Sequence, residues 1–201
     1  MSSNGYSAAP HIVVAIVEDK PGVLQRVAGL FRRRGFNIES LAVGHSEVEG
    51  LSRITLVVDG ASAPVEQVVK QLYKLIDVVK VSDLTDEAMV SRELVLLKVR
   101  CDSENRHEVL EIANLFRANV VDISTGSLIL QTIGDQEKID ALIDLCKPYG
   151  IRELTRTGTV SMVRGNKTTT VKETEPDEIA KVHQSQGRRV NDSQKLPFSS
   201  D

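Results

Sequence analysis

The sequence predicts an α+β fold of two tandem βαββαβ units, and three observations carry that prediction. Sliding the chain along itself by 85 residues lays Ala28-Gly29-Leu30-Phe31-Arg32 over Ala113-Asn114-Leu115-Phe116-Arg117, and Ile38 over Ile123. Apolar runs rich in β-branched residues alternate with segments of helical periodicity, in the same order in both halves. The 201 residues, 41% hydrophobic and 26% charged, suffice for one medium core or two small ones in a soluble globular chain.

The first unit opens with His11-Ile12-Val13-Val14-Ala15-Ile16-Val17, a continuous apolar run that reads as a strand (11–18) buried on both faces. Glu18-Asp19-Lys20-Pro21-Gly22-Val23-Leu24 joins it to a helix (22–34). There Val23, Leu24, Val27, Leu30 and Phe31 recur at helical spacing opposite Gln25, Arg26, Arg32 and Arg33. Asp19 is placed to cap the first turn, and Pro21 fits that turn because its missing donor has no helical partner there. Gly22 has no Cβ, so an anion could approach the free N–H groups at the positive end of the helix dipole. Arg32-Arg33-Arg34 reads as the basic helix end, with Gly35 where a left-handed cap is expected.

Strands at 36–46 and 50–59 follow, linked by the turn Glu47-Val48-Glu49-Gly50. Ser62 or Ala63 with Pro64 opens a second helix (63–76), striped by Val65, Val68, Val69, Leu72 and Ile76, and a strand (77–84) closes the unit. This order is the ferredoxin-like plait. The second unit repeats it with a strand (93–101), helix (104–118), strands (119–125 and 127–133), helix (135–146) and strand (150–158). The predicted layout is a plait at 11–84, a polar joint at 85–92, a second plait at 93–164 and a tail at 165–201. The tail turns to Asn, Lys, Thr, Ser, Gln and Gly and reads as disordered, its isolated apolar residues being too few to anchor a core. Asn166-Lys167-Thr168 and Asn191-Asp192-Ser193 match glycosylation acceptors only in form.

Charge and composition exclude several functions. A net charge of -3 without a dominant basic face leaves no electrostatic footprint for nucleic acid. Three Tyr, four Phe and no Trp make no stacking platform for single strands. No apolar stretch approaches ~20 residues and no signal-peptide pattern opens the chain, so no membrane association and a cytoplasmic location are expected. Cys101 and Cys146 read as free core thiols. His11, His45, His107 and His183 lack ligand spacing, so no metal site is expected. Ser124-Thr125-Gly126-Ser127 reads as a hairpin turn, not a nucleophile site. The pattern speaks for binding, not catalysis; a small enzyme would need a clustered His, Cys or carboxylate constellation, and none stands out.

Particular strings then carry a family resemblance. Glu18-Asp19-Lys20-Pro21-Gly22-Val23-Leu24, Leu30-Phe31-Arg32-Arg33-Arg34-Gly35-Phe36-Asn37-Ile38-Glu39-Ser40-Leu41 and Leu51-Ser52-Arg53-Ile54-Thr55 are the first of them. With Lys70 to Val81, Arg92 to Val99 and Gly158 to Gly165, they closely resemble the small, regulatory subunit of acetohydroxyacid synthase (acetolactate synthase). The resemblance covers residues 11 to about 165. It implies that the first unit is an ACT domain that forms a side-by-side homodimer and binds a branched-chain amino acid such as valine at the interface. The implied contacts are Asp19, Gly22, Val23 and Leu24 of one subunit with Asn37 and Ile38 of the other.

In that arrangement backbone N–H groups near Gly22 would take the α-carboxylate, Asp19 and Asn37 would serve the ammonium and remaining oxygens, and Ile38 and Leu24 would wall the side chain. Many relatives carry Asn where this chain has Asp19. On the residues alone, Asp19 is equally a cap, Asn37 a turn residue and Ile38 a core residue. The resemblance further implies a noncatalytic chain that activates the acetolactate synthase catalytic subunit and confers feedback inhibition by valine. Thiamine diphosphate, Mg and FAD are expected on that catalytic subunit and no cofactor on this chain. The alternative is a stand-alone amino-acid sensor acting on another enzyme or a transcription factor, although no helix-turn-helix pattern flanks the plaits.

Overall fold

The structure, a computed structural model, describes residues 9–61 and 64–171. Ser62, Ala63 and the tail from 172 onward lie outside the described residues. The first plait consists of β1 (His11–Glu18), α1 (Val23–Arg34), β2 (Ile38–His45), β3 (Leu51–Val58), α2 (Val65–Leu72) and β4 (Val78–Asp83). Its antiparallel sheet runs β2-β3-β1-β4. Ala15 on the central strand β1 lies opposite Ile54 of β3 and Val81 of β4. Val13, Ala15 and Val17 of β1 pack with Ile54 and Leu56 against Val27, Leu30 and Phe31 of α1 and Val68 and Leu72 of α2. Burial of these apolar faces, worth about 25 cal/mol per Å² removed from water, holds the helices on the sheet.

The second plait consists of β5 (Met89–Arg100), α3 (Arg106–Leu115), β6 (Asn119–Ile123), β7 (Ser127–Gly134), α4 (Gln136–Cys146), a 3-10 turn (Lys147–Tyr149) and β8 (Ile151–Arg156). Its strand order β6-β7-β5-β8 reproduces that of the first. A separate core of Val95, Leu97, Val99, Val109, Leu128, Leu130, Ile139 and Leu142 fills it. Asp135 caps α4, its Oδ1 accepting from the Lys138 N–H at 2.9 Å.

Three segments depart from the sequence reading, and each departure has a local cause. Met89–Arg92, expected within the polar joint at 85–92, form the start of β5, because a further strand, β9 (Val160–Val163), pairs with them from Met89↔Val163 to Arg92↔Val160. α2 stops at Leu72 instead of continuing to 76, and Ile76 is exposed. The chain turns there to deliver Val78 to the sheet, and the Tyr73 hydroxyl holds the turn by accepting from the Val81 N–H and donating to its carbonyl, both at 3.1 Å. Residues 165–171, read as the start of a disordered tail, dock on the first plait. Arg53 Nη1 donates to Thr169 Oγ1 and Lys80 Nζ to the Thr170 carbonyl, each at 2.7 Å, and Val171 packs against the sheet.

These departures explain why β1 is apolar on both faces. Val14 and Ile16 point away from the helices into a third cluster with Leu51, Leu84 and Val163, flanked by Met89 and Val171. The β5/β9 pair thus lies over the outer face of the first sheet and ties the plaits together.

Candidate functional site

Gly22 is the N-cap of α1 with φ +86°, a backbone conformation open to glycine at little cost and strained for a residue with a Cβ. No side chain caps this helix, which corrects the expectation for Asp19, and Pro21 precedes the cap instead of lying in the first turn. The reason is the route of the chain. The Glu18 N–H donates to the Asp77 carbonyl at 2.9 Å and the Asp19 N–H to that of Gly50 at 2.8 Å, so Asp19 stays with the sheet. Its carboxylate faces His45, with Oδ2 3.1 Å from Nδ1. The Val23 N–H reaches the Lys20 carbonyl at 3.4 Å, while the N–H groups of Gly22, Leu24 and Gln25 meet no acceptor among the described residues. The helix start therefore keeps donors and the positive end of its dipole available to an anion.

Arg26 stands one turn further along α1. Its Nε and Nη2 donate to the two carboxylate oxygens of Asp77 at 2.5 and 2.8 Å, and the Asp77 side chain is only 7% exposed. A Cβ at Gly22 would lie 3.5 Å from Arg26 Nη1, so the guanidinium borders the glycine. Neither Arg26 nor His45 was among the expected contacts. Arg26 reads in sequence as part of a solvated helix face, although helical side chains lean toward the N-terminus and position 26 is four residues from Gly22. Asp77 becomes its neighbour only because β4 lies beside β1.

The structure brings Asp19, Gly22, Val23 and Leu24 together but leaves Asn37 and Ile38 far from them. β1 and β2 both run antiparallel to β3, with Glu18 opposite Leu51 and His45 opposite Ser52 at one end of the sheet, and His11 and Ile38 opposite Val58 at the other. Seven residue steps along β2 separate Ile38 from His45, roughly 23 Å at strand rise. Val23 is buried in the core and offers only its backbone, whereas Leu24 is 44% exposed. Asn37 is exposed and Ile38 half-buried against the core. β2 is an edge strand of its sheet.

The corresponding loop of the second plait is filled by its own side chains. Asp102 Oδ1 accepts from the N–H groups of Glu104 and Asn105 at 3.0 and 3.1 Å, and Asn105 Oδ1 accepts from the Asp102 N–H at 2.9 Å. At the 85-residue spacing His107 replaces Gly22 and Glu111 replaces Arg26, so the second loop lacks both the glycine and the guanidinium.

Between the plaits lies a cleft of about 390 Å³ bordered by Ser40 and Leu41 of β2, Glu93, Arg156 and the loop Thr157 to Thr159. Arg156 donates to buried Glu93 and to Asp140 at 2.7 Å. Burial works to lower its pKa, but the bonds to Glu93 and Asp140 outweigh it and hold the guanidinium above its ordinary value. Cys101 and Cys146 are buried free thiols, and burial pushes Cys146 up to about 11. Among the described residues no group of His, Cys, Asp and Glu could hold a metal ion, and no helix is long and apolar enough to cross a membrane.

Comparison with known proteins places these features in a family. Residues 14–80 match the family model described as the AHAS small subunit-like ACT domain, and residues 92–165 match that of the small subunit of acetolactate synthase. The chain is 57% identical over 157 residues to a probable acetolactate synthase small subunit of Archaeoglobus fulgidus, covering 78% of this chain and 98% of that one. It is 52% identical over 159 residues to the acetolactate synthase small subunit of Mycobacterium bovis, covering 79% and 95%. The crystal structure of the acetolactate synthase small subunit from Thermotoga maritima superposes with a TM-score of 0.72 at 41% identity, covering 79% of this chain and 99% of that one. The chain belongs to the family of acetolactate synthase small subunits.

Proposed function

We propose that this chain is a noncatalytic regulatory subunit that binds the acetolactate synthase catalytic subunit, raises its activity and transmits feedback inhibition by valine. The effector binds where two copies meet through their first plaits. The observation that carries this reading is the separation of the two half-sites within one chain. Asp19 to Leu24 lie at one end of the sheet, Asn37 and Ile38 at the other, and the strand that begins at Ile38 is an edge. If two copies pair β2 antiparallel about a two-fold axis that passes between Leu41 and Ala42, Ile38 of each arrives beside His45 of its twin, and His45 already touches Asp19. Each such dimer has two complete sites.

The chemistry of one site suits an α-amino acid. Helix-start N–H groups at Gly22, Leu24 and Gln25 take the carboxylate, Asp19 and Asn37 serve the ammonium, and Leu24 and Ile38 line the isopropyl group. A ligand held by residues of both copies inhibits only if it binds one dimer arrangement better than another, with a coupling of about 1–3 kcal/mol being typical. Reaction of two pyruvates, or of pyruvate with 2-oxobutyrate, proceeds on the catalytic subunit, which holds thiamine diphosphate, Mg and FAD.

The test mixes the purified chain with the catalytic subunit of its own organism and follows acetolactate formation with and without valine. The expected result is stimulation by the chain, reversed by valine, and no turnover by the chain alone. Stimulation that valine leaves untouched would remove the effector reading, and turnover by the isolated chain would remove the noncatalytic one.

A further inference from the structure

We propose that Arg26 is a carboxylate-recognising residue of the effector site, donating through Nη1 to the amino acid held at the start of α1. This rests on the amino-acid site proposed above and adds a residue to it. Three observations converge on the guanidinium. Its Nε and Nη2 are committed to buried Asp77, which fixes the plane of the group, while Nη1 has no acceptor among the described residues. Nη1 borders Gly22, 3.5 Å from where a Cβ would stand, so the glycine keeps the space before this donor clear. The unpaired N–H groups of Gly22, Leu24 and Gln25 lie at the same helix start.

A carboxylate seated there would accept backbone bonds on one side and a charge-assisted bond from Nη1 on the other, a geometry that a flexible lysine ammonium cannot reproduce while also gripping Asp77. The second plait fits the same logic by contrast. On its first helix, Glu111 stands where Arg26 would be. A negative side chain at that position repels a carboxylate.

The Arg26–Asp77 pair is also a structural clamp between α1 and the start of β4, and the experiment must separate the two roles. Calorimetric titration of the full chain with L-valine and with L-valinamide does so, because the amide keeps the ammonium and the isopropyl group and loses the carboxylate. The wild type is expected to prefer valine. Arg26→Gln is expected to weaken valine binding by roughly tenfold or more while changing valinamide binding little. Since Arg26→Gln alone strands a buried carboxylate, the double variant Arg26→Gln with Asp77→Asn removes both charges and is expected to give the same loss of preference. An unchanged valine-to-valinamide ratio in a folded variant, whatever its melting temperature, overturns the proposal and leaves Arg26 as a clamp only. A wild type that binds neither compound overturns the effector site itself, and this assignment with it.

Discussion

Replacing Gly158 by alanine tests how tightly the second plait grips the strand that carries Ile38. Gly158 lies between β8 and β9 at φ +80°, and a Cβ there would stand 2.8 Å from Ser40 Oγ and 3.1 Å from the Leu41 carbonyl oxygen. Ser40 can rotate aside, but doing so forfeits the 2.8 Å bond it accepts from the Thr159 N–H. The Leu41 carbonyl cannot follow, because Leu41 is held opposite Leu56 in the β2–β3 ladder. Left-handed strain costs about 1–2 kcal/mol and the lost hydrogen bond about 1 kcal/mol. The stiffer unfolded chain returns about 0.4–1 kcal/mol. The net expectation is a loss of about 2 kcal/mol.

Gly165→Ala is the control, since its φ of +76° imposes the same strain while nothing lies within 4 Å of the new Cβ. Urea unfolding of both variants should give a loss of about 1 kcal/mol or less for Gly165→Ala and at least 1 kcal/mol more for Gly158→Ala. Equal losses would refute the close approach of the loop to β2, and with it the contact that joins the edge strand to the second plait.

Three further outcomes follow from other sites. Arg156→Met leaves Glu93 buried without its cation and should destabilise the chain by about 3–5 kcal/mol in chemical unfolding, with Glu93→Gln in the same chain recovering part of the loss. Cys146 keeps its proton in the folded state up to about pH 11, whereas the unfolded thiol loses it near its ordinary 9.0. The unfolded state therefore binds fewer protons at this thiol between those values, and its contribution to stability should fall by about 2 kcal/mol as pH rises through that window, a component of the pH dependence that Cys146→Ala should remove. Gly22→Asp sets a carboxylate at the anion site in a backbone conformation that strains any Cβ, and calorimetry should find no valine binding by the variant. Valine binding equal to that of the wild type would contradict the site.

What the sequence conveys here is periodicity and local chemistry, and both plaits were legible from them. The bounds of β1 agree with the predicted strand at 11–18 to the residue, and the glycine at 35 ends α1 in the left-handed conformation expected of it. The errors cluster where contacts from distant residues decide. α2 stops early because Tyr73 binds Val81 across a turn, and Met89–Arg92 extend because β9 supplies a partner seventy residues away. Residues 165–171 look like tail because Thr169 and Thr170 carry no periodic signal; they are fixed by Arg53 and Lys80 of strands far back in the chain.

Asp19 is the instructive case at the candidate site. Its chemistry fits a helix cap, yet capping also requires the right distance from the first turn, and the backbone bonds of Glu18 to Asp77 and Asp19 to Gly50 fix it to the sheet instead. That displacement has a functional consequence. A capping carboxylate would occupy the N–H groups of the first turn and place a negative charge where an anion is to bind. With Asp19 turned toward His45 and the cap position given to a glycine, the first turn keeps its donors and Arg26 keeps a free Nη1 beside them. The two plaits share one fold, and what sets the first apart is the glycine at the start of its first helix and the guanidinium one turn along, where the second has His107 and Glu111.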